Sequence, residues 1–388
     1  MKYLFYRFIK NKVAKSVFLF STLCLLFLAC NQQSTVNHSD PDDSFVRYNP
    51  QYAKGFYAEI FDHYKKIYVI DPWDTSRFLA KYFVASSSDM MPKNKGFTFV
   101  SNEIQPMACL FAPDVASAYQ LGLIDQIKAV SSKEYFHNPK LHQNINLGKT
   151  VDVGPSENFD SEKLLASGTK ICFVSPFKEN KYQKIQESGI VLAISAGYME
   201  NHPLARAEWI KFMALFYNLE NYADSLFNEI SNDYNNTLEM LGKVDEKPRV
   251  LGAKMYQDVW FVSGGESYIS QLFKDAGAEY VWSDLKFSGS EPYDFETVFH
   301  RAHNADFWVF QEYFKGDYTY KKLKSENLKY SYFDAFKNQS IIYCNTHSTS
   351  YYEDGVMEPH IVLKDLVKLF HPSLNLNHQN VYFKPLTN

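Results

Sequence analysis

Two short acidic motifs in the chain match each other. Asp160-Ser161-Glu162-Lys163-Leu164-Leu165 and Asp294-Phe295-Glu296-Thr297-Val298-Phe299 both read D-x-E-x-apolar-apolar, and each follows a glycine-containing turn. A glutamate in a first helical turn is favoured by the helix dipole, which is reason enough for either one alone. Their recurrence in two halves of one chain points to a paired use of Glu162 and Glu296. Other reactive side chains do not gather in this way. The eleven histidines are scattered; His300 and His303, at helical spacing, read as surface residues. A bare Zn²⁺ or Mn²⁺ site needs three or four convergent ligands. Cys109, Cys172 and Cys344 each lie in a short apolar run and read as small buried strand residues, with a Cys109–Cys172 bridge left open. There is no G-x-S-x-G elbow, no P-loop, no G-x-G-x-x-G after a strand and no H-E-x-x-H, and Gly264-Gly265-Glu266-Ser267 is not a phosphate loop. The chemistry expected is recognition rather than catalysis.

The element that positions these residues is a rod spanning residues 201–243. Pro203 suits a first helical position, where its missing N–H is not needed. Ala223, Leu226, Phe227, Ile230, Tyr234, Leu238 and Leu241 then fall on one face at i, i+3, i+4, i+7 spacing. No Pro or Gly interrupts the pattern for about 20 residues, which at 1.5 Å per residue is roughly 30 Å of helix. Gly242 ends it, and Lys247-Pro248 restarts the chain as strand.

Similar patterns flank the rod. Residues 51–200 open with antiparallel strands near 55–60, 66–73 and 77–84, then alternate strands (107–111, 127–131, 170–175, 189–194) with helices starting at Ala112 and Asp160; residues 151–154 read as a turn. Residues 244–388 repeat the theme, with strands at 249–255, 259–262, 280–282, 306–310 and 340–345 and a last helix at 361–370. Strands alternating with helices imply a mostly parallel, helix-covered sheet in each half. The length suggests two domains, and 28 Tyr, 32 Phe and 5 Trp suit both large cores and a broad cleft.

The first residues read as a leader. Lys2, Arg7, Lys10, Lys12 and Lys15 precede an apolar run at 17–28 that is too short to span a bilayer comfortably. Ala29-Cys30-Asn31 then resembles a bacterial lipoprotein signal, in which Cys30 is lipidated and becomes the new N-terminus; Phe27 stands where Leu is usual. Residues 1–29 are therefore expected to be removed and 30–50, with Asp40, Asp42 and Asp43, to form a flexible tether. Losing five basic residues and no acidic one takes the formal charge from −4 to −9, which argues against nucleic acid as a partner.

Taken together, Gly148-Lys149-Thr150-Val151-Asp152-Val153-Gly154, the run 201–210 from Asn201 to Ile210, Gly264-Gly265-Glu266-Ser267, Asp275-Ala276-Gly277 and Tyr352-Glu353-Asp354-Gly355 with Pro359 stand in a specific order. In that order the chain, from about Gly55 to its end, resembles the periplasmic substrate-binding lipoproteins of ABC importers for iron–siderophore complexes and vitamin B12. The resemblance implies two Rossmann-like α/β lobes (51–200 and 244–388) joined by connecting helices (201–243) that include a single long backbone helix. It implies a ligand cleft between the lobes and small lobe motion. It also implies a monomer without enzymatic activity or cofactor, lipid-anchored at the periplasmic face. Its partners would be a permease dimer with its ATPase. In relatives one glutamate per lobe docks with permease arginines; by motif these are Glu162 and Glu296, and two bidentate carboxylate–guanidinium anchors would set orientation. The cargo implied is an iron–siderophore or similar metal chelate. Cobalamin and haem stay open as alternatives, and a chelatase-like enzyme is the remote one. In open α/β sheets the cleft follows the strands' carboxyl ends. This nominates Phe111, Pro113, Phe177 and Tyr198 from the first lobe, and Trp260, Ser263, Gly264, Tyr313, His347, Tyr351 and Tyr352 from the second. Tyr198, Tyr313 or His347 could serve haem as an axial ligand.

Overall fold

The apolar stripe that predicts the rod is the stripe that it buries. In the computed structural model, which describes residues 44–92, 96–156, 158–177, 182–244 and 246–388, the helix runs Glu220–Met240 with Ala223, Phe227, Ile230 and Tyr234 facing inward. Lys65 ties its first turn down, bonding Glu220 and, at 2.8 Å, the Asn218 side chain. Its far half is tied to the second lobe: the Tyr234 hydroxyl donates to Asp275 at 2.7 Å, and Lys364 donates to Asp233 at 2.7 Å. Two short helices lead into it, Pro203–Glu208 and Ile210–Leu215. His202 caps the first, its Nδ1 accepting the Leu204 N–H at 3.1 Å. Glu208, fully buried, accepts the backbone N–H groups of Gln51, Tyr52 and Ala53 at 2.6–2.9 Å and pairs with Lys211 at 3.1 Å. A buried carboxylate is tolerated there because these donors replace its water.

In the first lobe, Tyr64–Ile70 and Phe78–Ala85 pair antiparallel, and Thr98–Ser101 joins the second of them in parallel. The main sheet is wholly parallel, in the order Val191–Ile194, Ile171–Val174, Met107–Cys109, Ile127–Val130, Val151–Asp152. The turn predicted at 151–154 begins as this edge strand, because Val151 and Asp152 find partners in Ala129 and Val130; the turn follows at Gly154, φ 82°. The Cys109–Cys172 bridge is ruled out by register. Cys172 lies opposite Ala108 and Cys109 opposite Phe173, so the two thiols point to opposite faces of the sheet. All three described cysteines are buried and unbridged.

The second lobe has the order Glu279–Tyr280, Arg249–Gly252, Phe307–Glu312, Ile341–Asn345 in parallel, closed by the antiparallel Lys384–Pro385. A small antiparallel sheet of Met255–Tyr256, Val259–Ser263 and Ser290–Tyr293 lies beside it. The last helix, Pro359–Phe370, carries the fully buried Asp365, which accepts the N–H groups of Tyr382 and Phe383 at 2.7 and 2.9 Å and so pins the C-terminal segment.

Residues 44–48 with 59–62 belong to a separate small unit. Its described part contains the strand Val46–Tyr48, an Arg47–Glu59 pair at 3.9 Å and the Phe45 and Phe61 rings 5.2 Å apart. The tether expected through residue 50 thus includes a strand. The leader 1–29, the lipidation at Cys30 and tether residues 31–43 lie outside the described residues.

Candidate functional site

Strand order creates the site. In the first lobe the chain leaves Met107–Cys109, adds two strands on one side, and returns to place Ile171–Val174 on the other. The loops after these neighbouring strands run in opposite directions, and a crevice opens at their carboxyl ends. There lies a cavity of about 520 Å³. Phe111 and Pro113 follow the first strand; Ser175 and Phe177 follow the returning one; Ser195 and Tyr198 follow Val191–Ile194. Trp209, between the two short helices, and Phe212 and Met213 of the second one close the inner wall, and Tyr352, Val356 and Met357 of the second lobe close the outer one. Trp209 is wedged. A Cβ on Gly55 would sit 2.5 Å from its ring, and its Nε1 donates to Glu200 Oε1 at 3.2 Å.

Two ionisable side chains line this largely apolar chamber. Asp114 is buried in the first turn of the helix Ala112–Gln120, and burial pushes its carboxyl up to about 7 against a hydrogen bond from Ser195. Arg206 donates from Nε to the Glu200 carbonyl at 2.8 Å, and its guanidinium lies 4.0 Å from the centre of the Tyr268 ring. Burial pulls its pKa down from the usual value, yet an arginine keeps its charge under such conditions. Among the described residues no carboxylate forms a salt bridge with it; Glu200 acts only at longer range.

Arg206, Tyr352 and Val356 also line a smaller adjoining pocket of about 260 Å³, together with Ser263, Ser267, Tyr268, Ser288, Gln311 and Tyr351. The Tyr268 and Tyr351 hydroxyls are hydrogen-bonded to each other. A further cavity of about 520 Å³ has a more polar wall that includes Lys54, Glu200, His202, Glu266 and Gln271.

Of the residues nominated from sequence, the structure gathers Phe111, Pro113, Phe177, Tyr198 and Tyr352 around the chamber, and Ser263, Tyr351 and Tyr352 around the adjoining pocket. Trp260 is a correction. It is fully buried, donates to the Gly252 carbonyl at 3.1 Å and packs on Trp308, because its strand turns that face into the second-lobe core. Gly264 is another. A Cβ there would lie 2.0 Å from the Phe287 carbonyl oxygen, so the glycine serves close backbone packing and lines neither the chamber nor the adjoining pocket.

Tyr313 and His347 also miss both spaces. The second lobe's own strand reversal holds an ion cluster in which Lys254 bonds Glu312 at 2.9 Å and Glu326 at 2.7 Å. Tyr313 and His347 instead pack edge to face at 5.0 Å and meet a first-lobe loop, Tyr313 against Tyr135 and the His347 carbonyl against His137 Nε2 at 3.1 Å. Beside them Glu353, almost fully buried, accepts the His137 N–H at 2.6 Å across the lobes. Glu162 and Glu296 are both exposed in first helical turns, after the capping Asp160 and Asp294. Glu296 pairs with Lys329 at 2.8 Å, and that bond lowers its pKa.

Sequence reasoning missed Arg206 and Asp114 as site residues. A signal was present for Arg206: of the three charges in the largely apolar run 203–215, Glu208 and Lys211 stand at i, i+3 spacing and pair with each other, which leaves Arg206 over.

The fold and its crevice define a two-lobed binding protein. The family described as Periplasmic binding protein matches residues 108–347, and the chain belongs to that family. An uncharacterized lipoprotein of Methanocaldococcus jannaschii is 26% identical over 361 residues, covering 86% of this chain and 84% of that protein. Two crystal structures share the fold. A periplasmic binding protein from Veillonella parvula gives a TM-score of 0.58 at 16% identity, covering 82% of this chain and 98% of that one. A periplasmic heme-binding protein from Pseudomonas aeruginosa gives 0.57 at 14% identity, covering 73% and 99%. Among the described residues no helix is long and apolar enough to cross a membrane.

Proposed function

We propose that this chain is the substrate-binding component of an ABC importer. It captures an iron–siderophore or similar metal chelate at the periplasmic face and presents it to a permease dimer. The observation that carries this reading is the chamber at the first-lobe strand reversal, walled by aromatics and holding the half-buried Arg206. Its size lies within the usual range for small-molecule sites, roughly 300–1,000 Å³. Among the described residues no three His, Cys, Asp or Glu side chains gather as metal ligands. The chamber therefore has no donor set with which to take a metal from its chelator, and capture of the whole chelate fits it better. Haem is less well served: the Tyr198 hydroxyl donates to the Pro176 carbonyl at 3.0 Å, and burial raises its pKa, both of which oppose a tyrosinate ligand. Lipid on Cys30 would hold the protein at the membrane, and Glu162 and Glu296 would engage the permease.

A binding screen on the purified protein tests this, with Trp209 in the chamber wall as fluorophore. The panel is ferric citrate, several ferric siderophores, cobalamin, cobinamide and haem, with Zn²⁺ and Mn²⁺ as controls. Saturable quenching by one chelate is expected. A response to the bare ions alone would overturn the reading.

A further inference from the structure

The chamber and the adjoining pocket differ in chemistry, and Arg206 stands where they meet. The chamber offers phenyl and thioether surface, from Phe111, Phe173, Phe177, Phe212, Met213 and Met357. The pocket offers hydroxyls and an amide, from Ser263, Ser267, Ser288, Tyr268 and Gln311. Arg206, Tyr352 and Val356 line both, so one ligand can reach from one into the other. We propose that the cargo is an amphiphilic anion, with an apolar aryl or acyl body in the chamber, one carboxylate-like group on Arg206, and a hydroxyl- or amide-bearing head in the pocket. This rests on the reading that the cleft holds the cargo and narrows the cargo's class.

Each part follows from a local need. A hydrophilic chelate such as ferric citrate would leave the phenyl walls wetted, whereas an apolar body removes that surface from water. Arg206 has spent its Nε on the Glu200 carbonyl, and among the described residues its two terminal nitrogens make no hydrogen bond. These nitrogens can grip a carboxylate in bidentate fashion, and the Tyr268 ring beneath holds the guanidinium plane. Asp114, bonded by Ser195, is a polar point inside the chamber that makes no salt bridge to Arg206 among the described residues. An anion on the ligand is the missing counter-charge.

The test needs no metal. The full-length protein is loaded with anilinonaphthalene sulfonate, and straight-chain carboxylates (octanoate, decanoate, dodecanoate), decanamide and citrate are tried as displacers. Affinity should rise about two- to fourfold per methylene, and citrate should not compete. Arg206→Gln should weaken decanoate at least tenfold and leave decanamide unchanged, which separates charge from folding. Met213→Trp, which fills the chamber, should abolish the length dependence; Val356→Trp on the half-buried lip is the second blocking variant should the first not fold. A flat length series, competition by citrate equal to that of dodecanoate, an unchanged acid-to-amide ratio in Arg206→Gln, or failure of the sulfonate to bind would each overturn the proposal. Tight amphiphile binding with no chelate bound would sink the chelate reading and leave this one standing. A chelate whose binding gains nothing from apolar substituents would do the reverse.

Discussion

Asp114 and Arg206 show how burial sets the chemistry of one chamber. Arg206 cannot shed its charge, so burial leaves it in want of an anion. Asp114 can, and does. Its carboxyl stays protonated to about pH 7 in the folded chain, while in the unfolded chain it ionises near 4. The native state thus holds an extra proton between those values, and stability falls as pH rises from about 4 to about 7. Asp114→Asn removes this dependence. In denaturant titrations at pH 5 and pH 8 the wild type should lose roughly 2–3 kcal/mol relative to the variant; an equal difference at both pH values would contradict the assignment. At this scale the sequence was only partly legible. Phe111 and Tyr198 could be placed because they follow strand ends. Trp260 could not, because an aromatic reads alike whether it faces a cleft or a core, and only the pairing of its strand decides which.

At the scale of elements the periodicities spoke clearly. The stripe from Ala223 to Tyr234 fixes the backbone helix, and apolar runs bounded by glycine fix the parallel strands. What they could not reveal was strand order, and hence which loop ends meet. That is why Tyr313 and His347 fell to a contact between lobes rather than to the cleft. The same contact makes a prediction. Glu353 bridges to the backbone of His137 and Asn138, and burial pushes its carboxyl up to about 7, with Asp354 adding to the effect. The groups that face it are His137 from the first lobe and Asp354 on its own segment. Separation of the lobes would hydrate Glu353 and return it toward its usual value near 4, so closure takes up a proton and is favoured as pH falls below about 7. Amide exchange at His137 and Asn138, corrected for intrinsic rates, should lose protection as pH rises from about 5 to about 7.5 in the wild type, with no further loss above. In Glu353→Gln, which keeps an acceptor without the charge, protection should stay constant. A wild type that keeps its protection across this range would contradict the latch.

At the scale of the molecule, two similar lobes on one stiff helix present matching acidic turns, and this internal repeat was readable from the similar strand–helix patterns on either side of the rod together with D-x-E-x-apolar-apolar. The exposed Glu296–Lys329 pair contributes little stability and is readily exchanged for a stronger arginine partner. Reversing both charges, Glu162→Lys with Glu296→Lys, should leave folding and cargo affinity intact and abolish import; uptake that survives the double change would remove the docking role. The central claim is that the first-lobe chamber, through Arg206, holds the cargo. Calorimetric titration of the chelate that quenches Trp209 into wild type and Arg206→Gln tests it most directly. One site per chain in the wild type, weakened at least tenfold in a variant with an unchanged melting profile, is the predicted result. Equal affinity in the two proteins would place the cargo somewhere other than this chamber.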